Sequence, residues 1–130
     1  MNKIDYNDEA ELRNILVGRK IVKTEKTTTS ENIYEITAIN FTLDNGRVLR
    51  AVEAVGGCCS NGDWSVDSDA TTTQIITDVS VVDEYKEDSD SAILRMFIYA
   101  DGIKTELVRS EGQDNGYYGW GYEVFVTEID

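Results

Sequence analysis

Two turn signals constrain this chain more tightly than anything else in it. Asp44-Asn45-Gly46 and Asp101-Gly102 each fall between runs of strand-forming residues. Both central positions of a type I′ turn need the positive φ that Asn-Gly and Asp-Gly tolerate. Each signal therefore predicts a β-hairpin, pairing 32–43 with 47–55 and 92–100 with 103–109. The sequence has no proline, so glycine, asparagine and aspartate must do the turning.

From Arg19 onward Val, Ile, Thr and Tyr dominate, residues that suit a pleated, half-buried backbone. Candidate strands are 20–27, 32–43, 47–55, 72–85 with a break near Asp78, 92–100, 103–109 and 120–128. In the last of these Trp120, Tyr122, Val124 and Val126 alternate onto one face. The 92–100 run is apolar on both faces apart from Arg95, which predicts a central strand covered on both sides. Ahead of the strands, Leu12, Ile15 and Leu16 recur at helical spacing, with Asn7 or Asp8 as N-cap and Gly18 as a stop. The expected fold is mainly β (α+β): an antiparallel sheet, or a partly open barrel or sandwich, of about six to seven strands with one short N-terminal helix. At 130 residues, 41% hydrophobic and 28% charged, residues 1–130 make one self-sufficient domain.

The composition excludes several kinds of chemistry. Histidine is absent, which removes the usual general base, proton shuttle and commonest metal ligand, and with them Ser-His and Cys-His nucleophilic sites. No Gly-x-x-x-x-Gly-Lys phosphate loop and no dinucleotide fingerprint occurs. The expectation is a protein that is not an enzyme, with no catalytic residues and no cofactor. Acids at the N-terminus stand where a signal peptide needs a basic flank. The most apolar run, 92–100, is short and interrupted by Arg95, so no membrane span is expected. Two cysteines, adjacent in sequence, suit a reducing compartment, and a cytoplasmic location is expected.

The net charge of −13 is unevenly spread. Residues 63–90 hold nine acids against Lys86 alone, and 111–130 hold five acids and no base. These two segments account for the whole imbalance. Such a field repels nucleic acid and anionic membrane and draws in basic surfaces. Solubility is the simpler reading; the functional one is an acidic face that binds a partner's basic surface through Asp63, Asp67, Asp69, Asp83, Glu84, Glu87, Asp88, Asp90, Glu111 and Asp114, without direct nucleic-acid contact.

Three further features admit two readings each. Cys58-Cys59 offers soft ligands or nucleophiles for a metal- or redox-responsive module, but two thiols do not complete a tetrahedral zinc site, and small residues packing a glycine turn explain them more simply. The segment Gly112 to Tyr122 concentrates tyrosine and tryptophan beside glycine; Asn115, Tyr117, Tyr118 and Trp120 could stack a nucleotide-like or sugar-like ligand, or cap the core. Arg19, Lys20, Lys23 and Lys26 form a basic row of the kind that protects an edge strand.

The order of these motifs resembles a family of small, mostly uncharacterised proteins encoded by bacteriophages and their bacterial hosts. The likeness runs from Leu16-Val17-Gly18-Arg19-Lys20-Ile21, through the hairpin at 41–46 and Cys58-Cys59, to Asn115-Gly116-Tyr117-Tyr118, covering about residues 16–128. It implies a phage or prophage origin and an accessory role: binding host machinery in the producing or infected bacterial cell, as a nucleic-acid mimic or inhibitor of host defence.

Overall fold

Hydrophobic alternation in the strands builds two antiparallel sheets over one core. The computed structural model describes the chain apart from residues 32–33, 54–58, 61, 87–90, 114–117, 120 and 128–130. The elements in order are β1 (Asn2–Ile4), α1 (Glu9–Leu16), β2 (Ile21–Glu31), β3 (Tyr34–Leu43), β4 (Val48–Glu53), β5 (Cys59–Ser60), β6 (Gly62–Val66), β7 (Ile76–Lys86), β8 (Ser91–Ala100), β9 (Ile103–Gln113), β10 (Tyr118–Gly119) and β11 (Tyr122–Val126). A five-stranded sheet has the order β1-β11-β4-β3-β2 and a four-stranded sheet the order β6-β9-β8-β7. A third, two-stranded ladder joins β10 and β5 in parallel.

The inner face of the five-stranded sheet is a set of cross-strand rows. Ile4, Val124, Ala51 and Ile39 form one, and Val126, Leu49 and Phe41 the next. The four-stranded sheet answers with Val66, Val108, Met96 and Val81, and beside them Trp64, Ser110, Leu94 and Asp83. Ile39, Phe41, Met96 and Val124 are fully buried, and residues of both sheets and of α1 belong to one continuous core. Helix α1 packs on β7 and contributes Leu12, Ile15 and Leu16. Its N-terminus is closed by Asp8, whose carboxylate accepts the Glu11 N–H at 3.1 Å.

Mainly β, antiparallel and with one short helix is the class the sequence implies; the strand count is higher, and no closed barrel forms among the described residues. The additional strands, β1, β5, β6 and β10, are short and polar or glycine-containing, so they show no alternation long enough to stand out. Both hairpins form. Asp101 and Gly102 have φ of 52° and 73°, as a type I′ turn requires. The other turn differs: only Gly46 is left-handed, at 87°, and its N–H donates to Leu43 C=O, the pattern of a three-residue loop ending in a glycine bulge. The break near Asp78 is a register shift between Ile76 and Asp78, so β7 starts at Ile76 rather than Thr72.

The 92–100 run is β8, an inner strand of its sheet, but among the described residues only one of its faces is covered by a second layer. On the other face Phe97, 6% exposed, is shielded by cations: Arg95 and Lys104 lie 4.6 and 4.2 Å from its ring centroid. Apolar character on both sides of β8 therefore records a ring covered by charged neighbours, not a second sheet. The basic row at 19–26 falls where an edge strand needs it, since β2 is at the margin of its sheet.

Candidate functional site

The outer face of the four-stranded sheet carries an ordered charge pattern. Glu84 on β7, Ile93 on β8 and Glu111 on β9 are successive register partners, and Asp63 on β6 is the register partner of Glu111. Neighbouring strands lie ~4.8 Å apart, so Glu84 and Glu111 are separated by roughly 10 Å across one face. The next row along the strands is Val82, Arg95, Arg109 and Ser65. Arg109 Nη2 meets Glu111 Oε2 at 2.9 Å.

A bulge in β9 sets the remainder of the pattern. Met96 pairs with Val108 but Phe97 pairs with Glu106, so Leu107 is an inserted residue. In a regular strand Glu106 and Arg109, three apart, would point to opposite faces. The insertion brings both to the outer face, where Glu106 Oε2 meets Arg95 Nε at 2.5 Å, and leaves Leu107 and Val108 both fully buried. Sequence reasoning missed Arg95, Glu106 and Arg109. The signal for them was Leu107-Val108, two apolar residues in succession within an otherwise alternating strand.

The acids singled out from the sequence divide between places. Glu84 and Glu111 share the outer row, with Asp63 in register. Asp83, adjacent to Glu84 on β7, takes the inner side of the same sheet end, where its carboxylate accepts the Tyr6 hydroxyl at 3.3 Å. Asp67 and Asp69 lie beyond the other end of β6: Asp67 N–H donates to Leu107 C=O, and Ser68 C=O accepts the Thr24 hydroxyl. They are not brought to the Glu84–Glu111 row. Glu87, Asp88, Asp90 and Asp114 lie outside the described residues.

The cysteine segment and the aromatic segment meet. Cys59 is the register partner of Tyr118, and Ser60 of Gly119, in the parallel β5–β10 ladder. Cys58, Asn115, Tyr117 and Trp120 lie outside the described residues. Next to this junction, Gly121 has φ of 93° and donates its N–H to Ser110 Oγ at 2.8 Å. A Cβ at this position would stand only 3.3 Å from Leu94 Cδ1. Only glycine fits there comfortably. Beneath it Tyr122 contacts Trp64 and Tyr6 at ring-centroid distances of 6.0 and 6.2 Å. Burial, with Tyr6 and nearby carboxylates adding to it, pushes the Tyr122 hydroxyl far up, so it stays protonated. The Tyr122 hydroxyl and Trp64 Nε1 are buried without a hydrogen-bond partner among the described residues.

A surface cleft of about 320 Å³ is lined by Tyr122 together with Lys3, Tyr6, Leu94, Gly121 and Glu123 among others. Among the described residues no three metal-ligating side chains cluster, and no helix is long and apolar enough to cross a membrane.

The fold and this surface define a two-sheet antiparallel β domain with a charge-patterned outer face. The chain belongs to the DUF7448 family, a domain of unknown function, whose family model matches residues 14–124. No curated protein and no solved structure matches it.

Proposed function

We propose that this is a non-enzymatic, phage-type accessory protein that docks on a basic surface of a host protein through the acidic end of its four-stranded sheet. The observation that carries the reading is the cross-strand placement of Glu84 and Glu111, with Asp63 in register, from two segments far apart in sequence. Glu87, Asp88 and Asp90 belong to the sequence joining β7 to β8, the two strands whose ends bear Glu84 and Ile93. The overall charge of −13 steers cations toward the molecule, and a rigid sheet fixes where they meet carboxylates. Glu111 already pairs with Arg109, but an exposed pair of this kind is worth only about 0–1 kcal/mol and can exchange partners.

That pairing also favours a protein inhibitor over strict nucleic-acid mimicry. A duplex presents uninterrupted negative charge, whereas here Arg95 and Arg109 follow directly behind the acids. The fitting partner has a basic stripe bordered by acceptors. Affinity capture from a bacterial host lysate at low and high salt tests the proposal: a basic protein should be retained at low salt and released at high salt. Capture indifferent to salt would count against it.

A second reading is favoured by one observation, the meeting of the cysteine and aromatic segments at the β5–β10 ladder. A small nucleotide-like or sugar-like ligand would bind there, and its release on denaturing the purified protein would identify it.

A further inference from the structure

We propose that the outer face of the four-stranded sheet also docks a second copy of this chain, about a two-fold axis that runs across the strands between the Glu84–Glu111 row and the Arg95–Arg109 row. The proposal goes beyond host docking and rests on the self-complementarity of the face. A two-fold interface uses one patch on both copies, so whatever the patch presents must be its own complement under the rotation. A uniformly acidic patch cannot satisfy this. The two rows set Glu84 and Glu111, with Asp63 in register, beside Arg95 and Arg109, so the patch presents both signs although the chain as a whole carries −13.

The two rows are two residues apart along the strands, roughly 7 Å. Rotation about an axis midway between them exchanges the rows. Glu111 of one copy then faces Arg109 of the other, and the reverse pair forms by symmetry. Arg95 of each copy comes over Ile93 of the other, between Glu84 and Glu111. Because Arg109 and Glu111 already touch within one chain, the dimer closes a ring of four alternating charges. Beside the ring, the half-buried Val82 and Ile93 of each copy receive the aliphatic stems of Glu84 and Arg95 of the other.

Four strands by about seven residues give a face of roughly 450 Å² per copy, below the ~800 Å² per partner of a standard stable interface. The dimer is therefore weak and reversible. Its acids are the ones a host protein's basic surface would claim, so the second copy and the host partner compete for one row.

The test is sedimentation velocity of the full chain at about 0.15 M salt, over about 10–500 µM protein. The wild type should pass reversibly from monomer to dimer in this range. Arg109→Glu, which sets carboxylates against carboxylates, should weaken association at least about tenfold. Arg109→Glu combined with Glu111→Arg restores the alternation and should return dissociation to within about twofold of wild type. Lys23→Glu on the other sheet changes net charge as Arg109→Glu does, and should leave association unchanged. A wild type monomeric throughout, an Arg109→Glu variant as dimeric as wild type, or a folded double variant that stays monomeric would each overturn the proposal. Capture of a basic host protein is read separately, with Arg109→Glu as bait, so failure of self-association does not bear on host docking.

Discussion

Gly121 donates its backbone N–H to the buried hydroxyl of Ser110 at 2.8 Å, and this single bond fixes where the aromatic segment ends and the last strand begins. It links β9 of one sheet to the entry of β11 in the other. Ser110 is itself buried, at 2% exposure.

Replacing either partner should therefore destabilise the domain for separate reasons. Ser110→Ala leaves a buried N–H without an acceptor and should cost about 1–3 kcal/mol. Gly121→Ala forces a Cβ into left-handed backbone 3.3 Å from Leu94 Cδ1, and should cost at least about 1–2 kcal/mol. Urea denaturation of both variants measures this; wild-type stability in Gly121→Ala would contradict the geometry.

Asp78 ties β7 to α1. Its carboxylate accepts Arg13 Nε at 2.8 Å and the Val79 N–H at 2.8 Å, and these bonds, Arg13's first, hold it below the ordinary carboxylate range. The unfolded chain then binds the proton more readily, so this contribution is complete above the ordinary value near ~3.9 and is lost as pH falls through the lowered folded value. Both groups are exposed, so the contribution is small. Asp78→Asn should flatten the decline in melting temperature between about pH 4 and pH 2 and leave its slope above about pH 5 unchanged.

Glu53 behaves in the opposite sense. It is the register partner of Tyr122 on the core-facing side, and burial raises its carboxyl above the ordinary value while Lys26 partly offsets the rise. The folded state holds the proton more tightly, so stability falls as pH rises from the unfolded value through the folded one. Glu53→Gln should be neutral or stabilising at neutral pH and should remove that fall between about pH 4 and pH 6, measured by thermal melts across the range. A marked loss of stability at neutral pH would mean the carboxylate is held by a partner it needs.

The parts of this fold that the sequence revealed are the ones decided locally. Asp8 with Leu12, Ile15 and Leu16 marks a capped helix, and Asp101-Gly102 marks a tight hairpin, because each signal lies within a few residues of its effect. Tyr122, Val124 and Val126 alternate as expected onto the core. What stayed hidden depends on register between distant segments. Cys59 opposite Tyr118 joins residues on either side of all four strands of the second sheet, and no local pattern announces it. The outer row at Glu84 and Glu111 exists only because β7, β8 and β9 pair as they do. Arg95 meets Glu106 only because Leu107 is inserted. Acidic segments were visible in the composition; that Asp83 and Glu84 part to opposite faces, and that Asp67 and Asp69 stand at the other end, was not.

Host docking through the Glu84–Glu111 row is tested most directly by comparing two charge reversals of equal size. Glu84→Lys with Glu111→Lys inverts the row; Glu25→Lys with Asp69→Lys makes the same change in net charge away from it. In capture from a host lysate at about 0.15 M salt, the first pair should lose the basic partner and the second should retain it. Equal loss by both would reduce the effect to overall charge, and undiminished capture by the first would contradict docking at this row.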